Sequence, residues 1–319
     1  MNVIQFLLAL GLAALMGFAV QRGATCTVAA VDEVLTKRRA HRLLAMLEAS
    51  IWVLGGLLLA QAMGGDANLM PAGYVVSGWT IVGAMLLGLG AAVTGACVFG
   101  AIARFGNGEW TYILTPVGFY LGCLVVRLPV IGAMSQRVQE PSVVLAAPVG
   151  VLLLIAGWMF WRVLWPLRLV GPTELWSGIH SKLWAPHAAT LVIGVAFVGL
   201  LYLVGPWTYT EMLADWSSRG VMTDASRVLL FVALLLGAVW GGWTAQRFRP
   251  VAVSWIACAR CLGGGALMGM GSLLIPGGND GLILTGMPLL WPYAWLAFAT
   301  MFVTIAVFLK LRSLLRRPL

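Results

Sequence analysis

Two thiols, Cys26 and Cys97, are the side chains best placed by sequence to do chemistry in this 319-residue chain. Cys97 lies in a glycine-rich stretch, GAMLLGLGAAVTGACVFGAIARFGNG at positions 83–108, and Cys26 follows a Gln-Arg pair near the N-terminus. Glycine weakens a soluble helix by about 1 kcal/mol, but in a membrane it allows close backbone contact and a helix break beside a cavity. A soft thiol at such a break could pass on a sulfur-containing anion through weak contacts. The alternative interpretation is a close-packed helix with one buried structural cysteine.

Arg22 and Arg104 lie close in sequence to these thiols and could attract an anion toward them. Cationic side chains and the positive ends of half-helices favour negative charge at the mouth of a cavity. The alternative is a structural role, in which each arginine lays its aliphatic stem along apolar surface and keeps its charged head in water.

Asn279 and Asp280 lie in PGGNDG, a second glycine-rich break. A carboxylate at membrane depth costs about 2.5–3.5 kcal/mol on insertion scales, so it usually faces a partner or a water-filled cavity. Arg104, Arg247 or Arg260 could pair with Asp280. The alternative is that Asp280 caps the N-terminus of a helix at a turn.

Cys258 and Cys261 form a CxxC pair in the sequence CARC. Such a pair suggests redox chemistry or a metal. No histidine and no second CxxC accompany it to complete a metal site, so we predict no metal and no cofactor. The two alternatives are a redox-active pair and two packed thiols on one helical face.

Composition indicates the elements that must position these residues. The chain is 61% hydrophobic and 10% charged, with a mean hydropathy of +0.95, whereas soluble domains contain about 25% charged residues. We therefore predict an all-α, polytopic membrane protein with a single transport domain over residues 1–319. Short re-entrant pieces are expected at 21–31 and 276–290. Nine apolar segments of spanning length lie near residues 3–20, 43–63, 74–100, 111–128, 143–165, 187–205, 227–246, 252–275 and 291–309.

The net charge of +9 predicts an orientation rather than a polyanionic partner. Basic clusters at 37–42 and 310–317 are typical of cytoplasmic loops that contact anionic membrane lipid, which places the C-terminus in the cytoplasm. The charges are too scattered for nucleic-acid binding. The segment 206–226 contains three acids and one arginine, and we interpret it as a solvated external loop.

An internal repeat is indicated by two weak matches in the same order. GFAVQRGATCTVA at 17–29 resembles GWTAQRFRPVAVS at 242–254, and GAMLLGLGAAVTGACVFG at 83–100 resembles GGALMGMGSLLIPGGNDG at 264–281. Interrupted segments in both halves of a chain indicate a transporter site. We predict a first repeat over about 3–110 and a second over about 227–309, in parallel or inverted orientation.

Three motifs, QRGATC, GACVFG and RCLGGGALMGMGS, resemble those of the YeeE/YedE family of bacterial membrane proteins. The resemblance covers most of the chain and implies inverted halves whose re-entrant helices meet at a central constriction, where cysteines relay thiosulfate inward. By position, Cys26 and Cys97 correspond to the first two relay cysteines, and Gly278 occupies the position of the third. The resemblance implies that Cys258 or Cys261 substitutes, that the relay is shorter, or that the substrate differs. It also implies a TusA-like cytoplasmic sulfur-carrier protein as partner.

The resulting hypothesis is a transporter, not an enzyme, in the bacterial inner membrane that imports thiosulfate or a related small sulfur-containing species. One alternative is a membrane-embedded thiol/disulfide oxidoreductase that uses Cys258 and Cys261. A second alternative is a channel-like subunit for another small anion.

Overall fold

The fold is all-α, as predicted. Within the part of the chain described here, regular structure is helical, and strand-like pairing is confined to one isolated bridge between Tyr74 and Arg137. The computed structural model describes residues 2–64, 71, 73–126, 137–138, 142–169, 183–219 and 225–315.

The helices are numbered α1 to α13 in chain order. A 3-10 turn precedes α6 at Trp110–Ile113, and α12 continues into a π-helical turn at Leu282–Gly286. The helices are α1 Val3–Gly23, α2 Thr27–Lys37, α3 His41–Ala62, α4 Gly78–Thr94, α5 Val98–Gly106, α6 Leu114–Val126, α7 Val149–Leu169, α8 Pro186–Val204, α9 Tyr209–Arg219, α10 Ala225–Thr244, α11 Trp255–Leu274, α12 Asn279–Gly281 and α13 Pro292–Leu315.

Helix length and apolar composition make the chain a multi-pass membrane protein. Among the residues that the structure describes, seven helical segments are long and apolar enough to cross a bilayer, and Trp110–Val126 and Gly150–Leu164 are shorter apolar helices. These nine segments fall on the nine predicted ones. The basic residues 316–317 of the predicted cytoplasmic tail lie outside the described residues. The seven segments that are long enough to cross a bilayer are Val3–Lys37, His41–Ala62, Gly78–Gly106, Pro186–Ser218, Ala225–Thr244, Trp255–Leu274 and Pro292–Leu315.

The interpretation of 206–226 as a solvated loop is wrong. Residues Tyr209–Arg219 form α9, and Trp207, Tyr209 and Leu213 are 1%, 3% and 5% exposed. The prediction weighed the acids and overlooked the aromatic and aliphatic residues between them, which form a buried helical face. Residues 220–224 lie outside the described part.

Helices α1 and α8 pack against each other in opposite directions. Gly23 at the end of α1 lies against Ala189 near the start of α8, and Gly199 near the end of α8 lies against Leu12. Each helix then has a second neighbour: α1 packs on α10, and α8 packs on α3.

Helices α4 and α11 form a second antiparallel pair. Gly83 lies against Gly271, and Gly90 lies against Gly264, so two rows of glycines bring the backbones together. Each helix of this pair also has a second neighbour: α4 packs on α13, and α11 packs on α6. Small residues are what permits such close contact between membrane helices.

Candidate functional site

Four long helices each end in a short break that leads into a shorter helical segment. The breaks are residues 24–26, 95–97, 205–208 and 275–278, after α1, α4, α8 and α11 respectively. Gly95 takes φ +76° and Gly205 takes φ +82°, which glycine adopts without steric cost. The sequence predicted the breaks that contain Cys26, Cys97 and Gly278, but not the one at 205–208.

Cys26 and Cys97 are brought together at the N-termini of α2 and α5, where each is the N-cap residue. The Thr27 amide donates a hydrogen bond to Cys97 Sγ at 3.1 Å, and the Cys97 amide donates to Cys26 Sγ at 3.5 Å. The two side chains are 8% and 0% exposed, and neither forms a disulfide. Two helix N-termini, each with partial positive charge, therefore converge on one pair of sulfur atoms.

Asn279 connects this thiol pair to α12. Its Nδ2 donates to Thr27 Oγ1 at 3.1 Å, and both residues are fully buried. The same Thr27 supplies the amide that contacts Cys97. A continuous set of hydrogen bonds therefore runs from α12 through the first residue of α2 to the sulfur of Cys97.

Asp280 is 1% exposed and lies beside α9. The hydroxyl of Thr210 and the amide of Gly281 donate hydrogen bonds to its Oδ1. Its predicted pairing with Arg104, Arg247 or Arg260 is wrong within the described residues. Helix α9 approaches Asp280 instead, because the break at 205–208 aims the first turn of α9 at α12.

The predicted arginine partners of Asp280 have other contacts. Arg104 Nη1 donates to Glu109 Oε2 at 3.3 Å and to the Tyr112 hydroxyl at 2.8 Å. Arg260 Nε donates to the Val93 carbonyl at 3.1 Å. These two arginines contact groups near the ends of α4 and α5.

Arg22 is 3% exposed near the end of α1. Its Nη2 donates to Thr244 Oγ1 at 2.8 Å, and its guanidinium lies 4.9 Å from the centre of the Phe18 ring. Next to it, Gln21 Nε2 donates to Asn107 Oδ1 at 2.8 Å. Arg22 therefore lies where α1, α5 and α10 end together, four residues before Cys26.

Cys258 and Cys261 lie on α11, and the hydrogen bonds described for Cys26 and Cys97 involve neither of them. Cys261 is 2% exposed, Cys258 is partly exposed, and both are free thiols. A Cβ atom at Gly278, where the third relay cysteine was expected, would overlap Thr210 Oγ1 and lie 2.7 Å from Asp280 Oδ1. Thr210 therefore leaves no space for a side chain at position 278.

A cavity of about 370 Å³ with both polar and apolar walls opens next to Gly278. We call it the Glu211 cavity. It reaches Thr210 and Gly281 at its deep end, one residue from Asp280. Among the residues that line it are Tyr74, Arg137, Glu211, Arg227, Thr285 and Tyr293.

Sequence reasoning missed Thr27, Thr210 and Glu211. One signal was available, because GPWT at 205–208 contains Gly and Pro, as the break at 275–278 does, and directly precedes Tyr209, Thr210 and Glu211. Among the described residues, no cluster of histidine, cysteine and acidic side chains is suited to a metal ion.

Comparison with known proteins gives two matches that cover most of the chain. The model of a family described as sulphur transport matches residues 22–307, which contain all four breaks. The protein named Thiosulfate transporter TsuA, from Escherichia coli (strain K12), is 25% identical over 320 aligned residues, with 86% of each chain covered.

Proposed function

This chain belongs to the sulphur transport family, and we propose that it imports thiosulfate or a related small sulfur-containing anion past the thiols of Cys26 and Cys97. The family supports the transport of a sulfur species. The relative, which is named as a thiosulfate transporter, supports thiosulfate as the substrate. The proposal needs no cofactor and no enzymatic step, because the anion crosses unchanged.

The observation that carries the proposal is the reciprocal contact between the two thiols and two helix N-termini. An amide at the start of α2 faces Cys97 Sγ, and the Cys97 amide faces Cys26 Sγ. An anion in this place is stabilised by the positive ends of α2 and α5. Polarisable sulfur and backbone amides bind a soft anion weakly, so that it is released again.

A polar route toward the thiols supports the same function. Arg137 lines the Glu211 cavity and attracts an anion into it, while Arg227, which also lines it, pairs with Asp215. Thr210, which lines this cavity, contacts Asp280, and the adjacent Asn279 leads through Thr27 to Cys97 by the hydrogen bonds described above. We propose that this cavity faces outward and that Arg22 and Arg104 attract the anion on the cytoplasmic side.

The proposed cellular setting follows from the charge distribution and the resemblance. We place the protein in the bacterial inner membrane with the C-terminus of α13 in the cytoplasm, because Lys310 and Arg312 lie near that end. A TusA-like sulfur-carrier protein is the proposed acceptor of the imported sulfur on that side.

Uptake of radiolabelled thiosulfate, in cells that lack other routes of sulfur import, tests the proposal. We expect Cys26→Ala and Cys97→Ala to slow uptake about tenfold or more, since each removes a contact made by the passing anion. Cys258→Ala is the matched control, because it makes the same thiol-to-methyl change on α11. Protein levels in the membrane are compared by immunoblotting.

The outcome also separates the alternatives. Uptake unchanged in both Cys26→Ala and Cys97→Ala would remove the thiols from the mechanism and favour a channel for another small anion. Loss of function in Cys258→Ala and Cys261→Ala, with formation of a mixed disulfide to a partner, would favour an oxidoreductase.

A further inference from the structure

Asp280 and Glu211 place two carboxylates on the route of an anion. Within the described residues, the hydrogen bonds to Asp280 come from the uncharged donors Thr210 and Gly281. A Cβ atom at Gly281 would lie 3.0 Å from Glu211 Oε1, so the two carboxylates flank a single glycine. A buried carboxylate without a cationic partner is costly while it is ionised. This arrangement differs from a structural ion pair such as Arg104 with Glu109.

The cavity beside Glu211 has the polarity needed to hold water. Thr285 lines it and is 7% exposed, and its Oγ1 has no hydrogen-bond partner among the described residues. A buried hydroxyl of this kind is normally satisfied by water, and about 370 Å³ holds several molecules. Water in this cavity would connect the Glu211 carboxyl to the solvent and supply protons to it.

The other charged groups that line the cavity leave the two carboxylates without a dedicated partner. Arg227 Nη1 contacts Asp215 Oδ2 at 3.4 Å, so its charge is offset by Asp215. Arg137 lines the cavity beside the bridge to Tyr74. The Tyr74 and Tyr293 rings meet edge to face with centroids 5.4 Å apart.

Besides Glu211, Tyr209 is a titratable neighbour of Asp280. Its hydroxyl donates to the Val98 carbonyl at 2.9 Å, so it contacts α5 instead of the carboxylate. On the opposite side, Asn279 contacts Thr27 and contributes no charge.

We propose that Asp280 and Glu211 bind protons and carry them inward with the anion, which makes the protein a proton–anion symporter. This inference rests on the proposed transport of thiosulfate. An ionised carboxylate repels the anion, whereas a protonated one can donate a hydrogen bond to it. The protons enter from external water through the Glu211 cavity and leave to cytoplasmic water. An inside-negative potential opposes import of an anion, and accompanying positive charge offsets that cost.

Liposomes that contain the purified full-length protein and a pH-sensitive dye test the inference. The membrane potential is clamped with potassium and valinomycin while labelled thiosulfate and internal pH are followed together. We expect the interior to acidify in step with uptake. An inward proton gradient of one pH unit should raise accumulation about tenfold for each proton carried.

Two variants locate the proton sites. Asp280→Asn and Glu211→Gln should each reduce the number of protons that enter per thiosulfate and flatten the dependence of uptake on external pH. Asp32→Asn is the matched control, because it removes an exposed carboxylate on α2 and should leave both readouts unchanged. If the fully buried Asp280 does not tolerate substitution, the partly buried Glu211 carries the test.

Each remaining outcome contradicts a stated claim. Thiosulfate uptake by the wild type without acidification, or uptake driven by a sodium gradient instead, would overturn proton coupling and leave the proposed function intact. Wild-type coupling that persists unchanged in both variants would overturn the assignment to Asp280 and Glu211. Absence of thiosulfate uptake by the wild type would overturn the proposed function and the coupling with it.

Discussion

The sulfur atoms of Cys26 and Cys97 differ from those of ordinary packed cysteines because backbone amides face them. Buried cysteines generally behave as small apolar side chains. Cys123 is an example, since its thiol donates to the Gly269 carbonyl at 3.5 Å within the α6–α11 contact. Cys26 and Cys97 instead accept hydrogen bonds at the ends of helices. The backbone around them therefore stabilises negative charge.

Gly100→Ala tests whether this geometry matters for transport without removing either thiol. A Cβ atom at position 100 would lie 2.5 Å from Cys26 Sγ and 3.0 Å from Cys26 Cβ, so the thiol must move. We expect thiosulfate uptake to fall about tenfold, as displacements near 1 Å at a site commonly cause losses of this order or larger. Gly263→Ala is the control, because nothing lies within 4 Å of its new methyl group. Equal uptake by the two variants would show that the position of Cys26 is unimportant.

The residues at the site were predictable from sequence only where they interrupt a glycine-rich helix. Cys26, Cys97 and Asp280 stand out in this way, because the chain has only five cysteines and 10% charged residues. The Thr210–Asp280 contact joins residues 70 positions apart, and apolar periodicity does not determine which break meets which. Because apolar periodicity does not show which residues meet, the prediction of an arginine beside Asp280 was wrong.

At the scale of elements, the order of helices from α1 to α6 recurs from α8 to α13. Antiparallel contacts join α1 to α8 and α4 to α11. The second neighbours of α1 and α8 also correspond, because α1 packs on α10 and α8 packs on α3. We propose an inverted repeat of residues 3–126 and 186–315, in which Thr208 corresponds to Cys26 and Gly278 to Cys97. These bounds are wider than the predicted ones of about 3–110 and 227–309. The proposed repeat keeps the match of 83–100 with 264–281, but not that of 17–29 with 242–254, because it pairs α1 with α8 and α10 with α3.

The contact between α1 and α10 depends on Gly17. A Cβ atom there would overlap the Leu234 carbonyl, so Gly17→Ala must separate the two helices. Overpacking of this kind typically costs about 1–3 kcal/mol, and we expect a lower unfolding temperature in detergent. Gly11→Ala, in the same helix with nothing within 4 Å, should leave that temperature unchanged or raise it slightly. The prediction fails if both variants unfold at the same temperature.

At the scale of the whole molecule, the membrane potential decides whether an anion importer needs coupling. Moving one charge across 100 mV involves about 2.3 kcal/mol. A dianion that enters a cell with a negative interior must therefore overcome about 5 kcal/mol per 100 mV. The chain has no nucleotide-hydrolysis motif in its sequence to supply this energy. Protons bound at Asp280 and Glu211 would supply it from the existing gradient.

The direction of this transport depends on which way the Glu211 cavity faces, and the ends of α3 provide a test. This helix has 22 residues, so at 1.5 Å per residue it is about 33 Å long and matches the apolar thickness of a bilayer. Residues 37–42 before it are basic and should be cytoplasmic, which places Met63 outside, on the same side as the proposed opening of the cavity. In a variant that retains only the buried Cys26 and Cys97, Met63→Cys should react with a membrane-impermeant maleimide added to intact cells. Arg39→Cys should react only after the cells are permeabilised. The reverse pattern would place the Glu211 cavity on the cytoplasmic side and make the proposed route one of export.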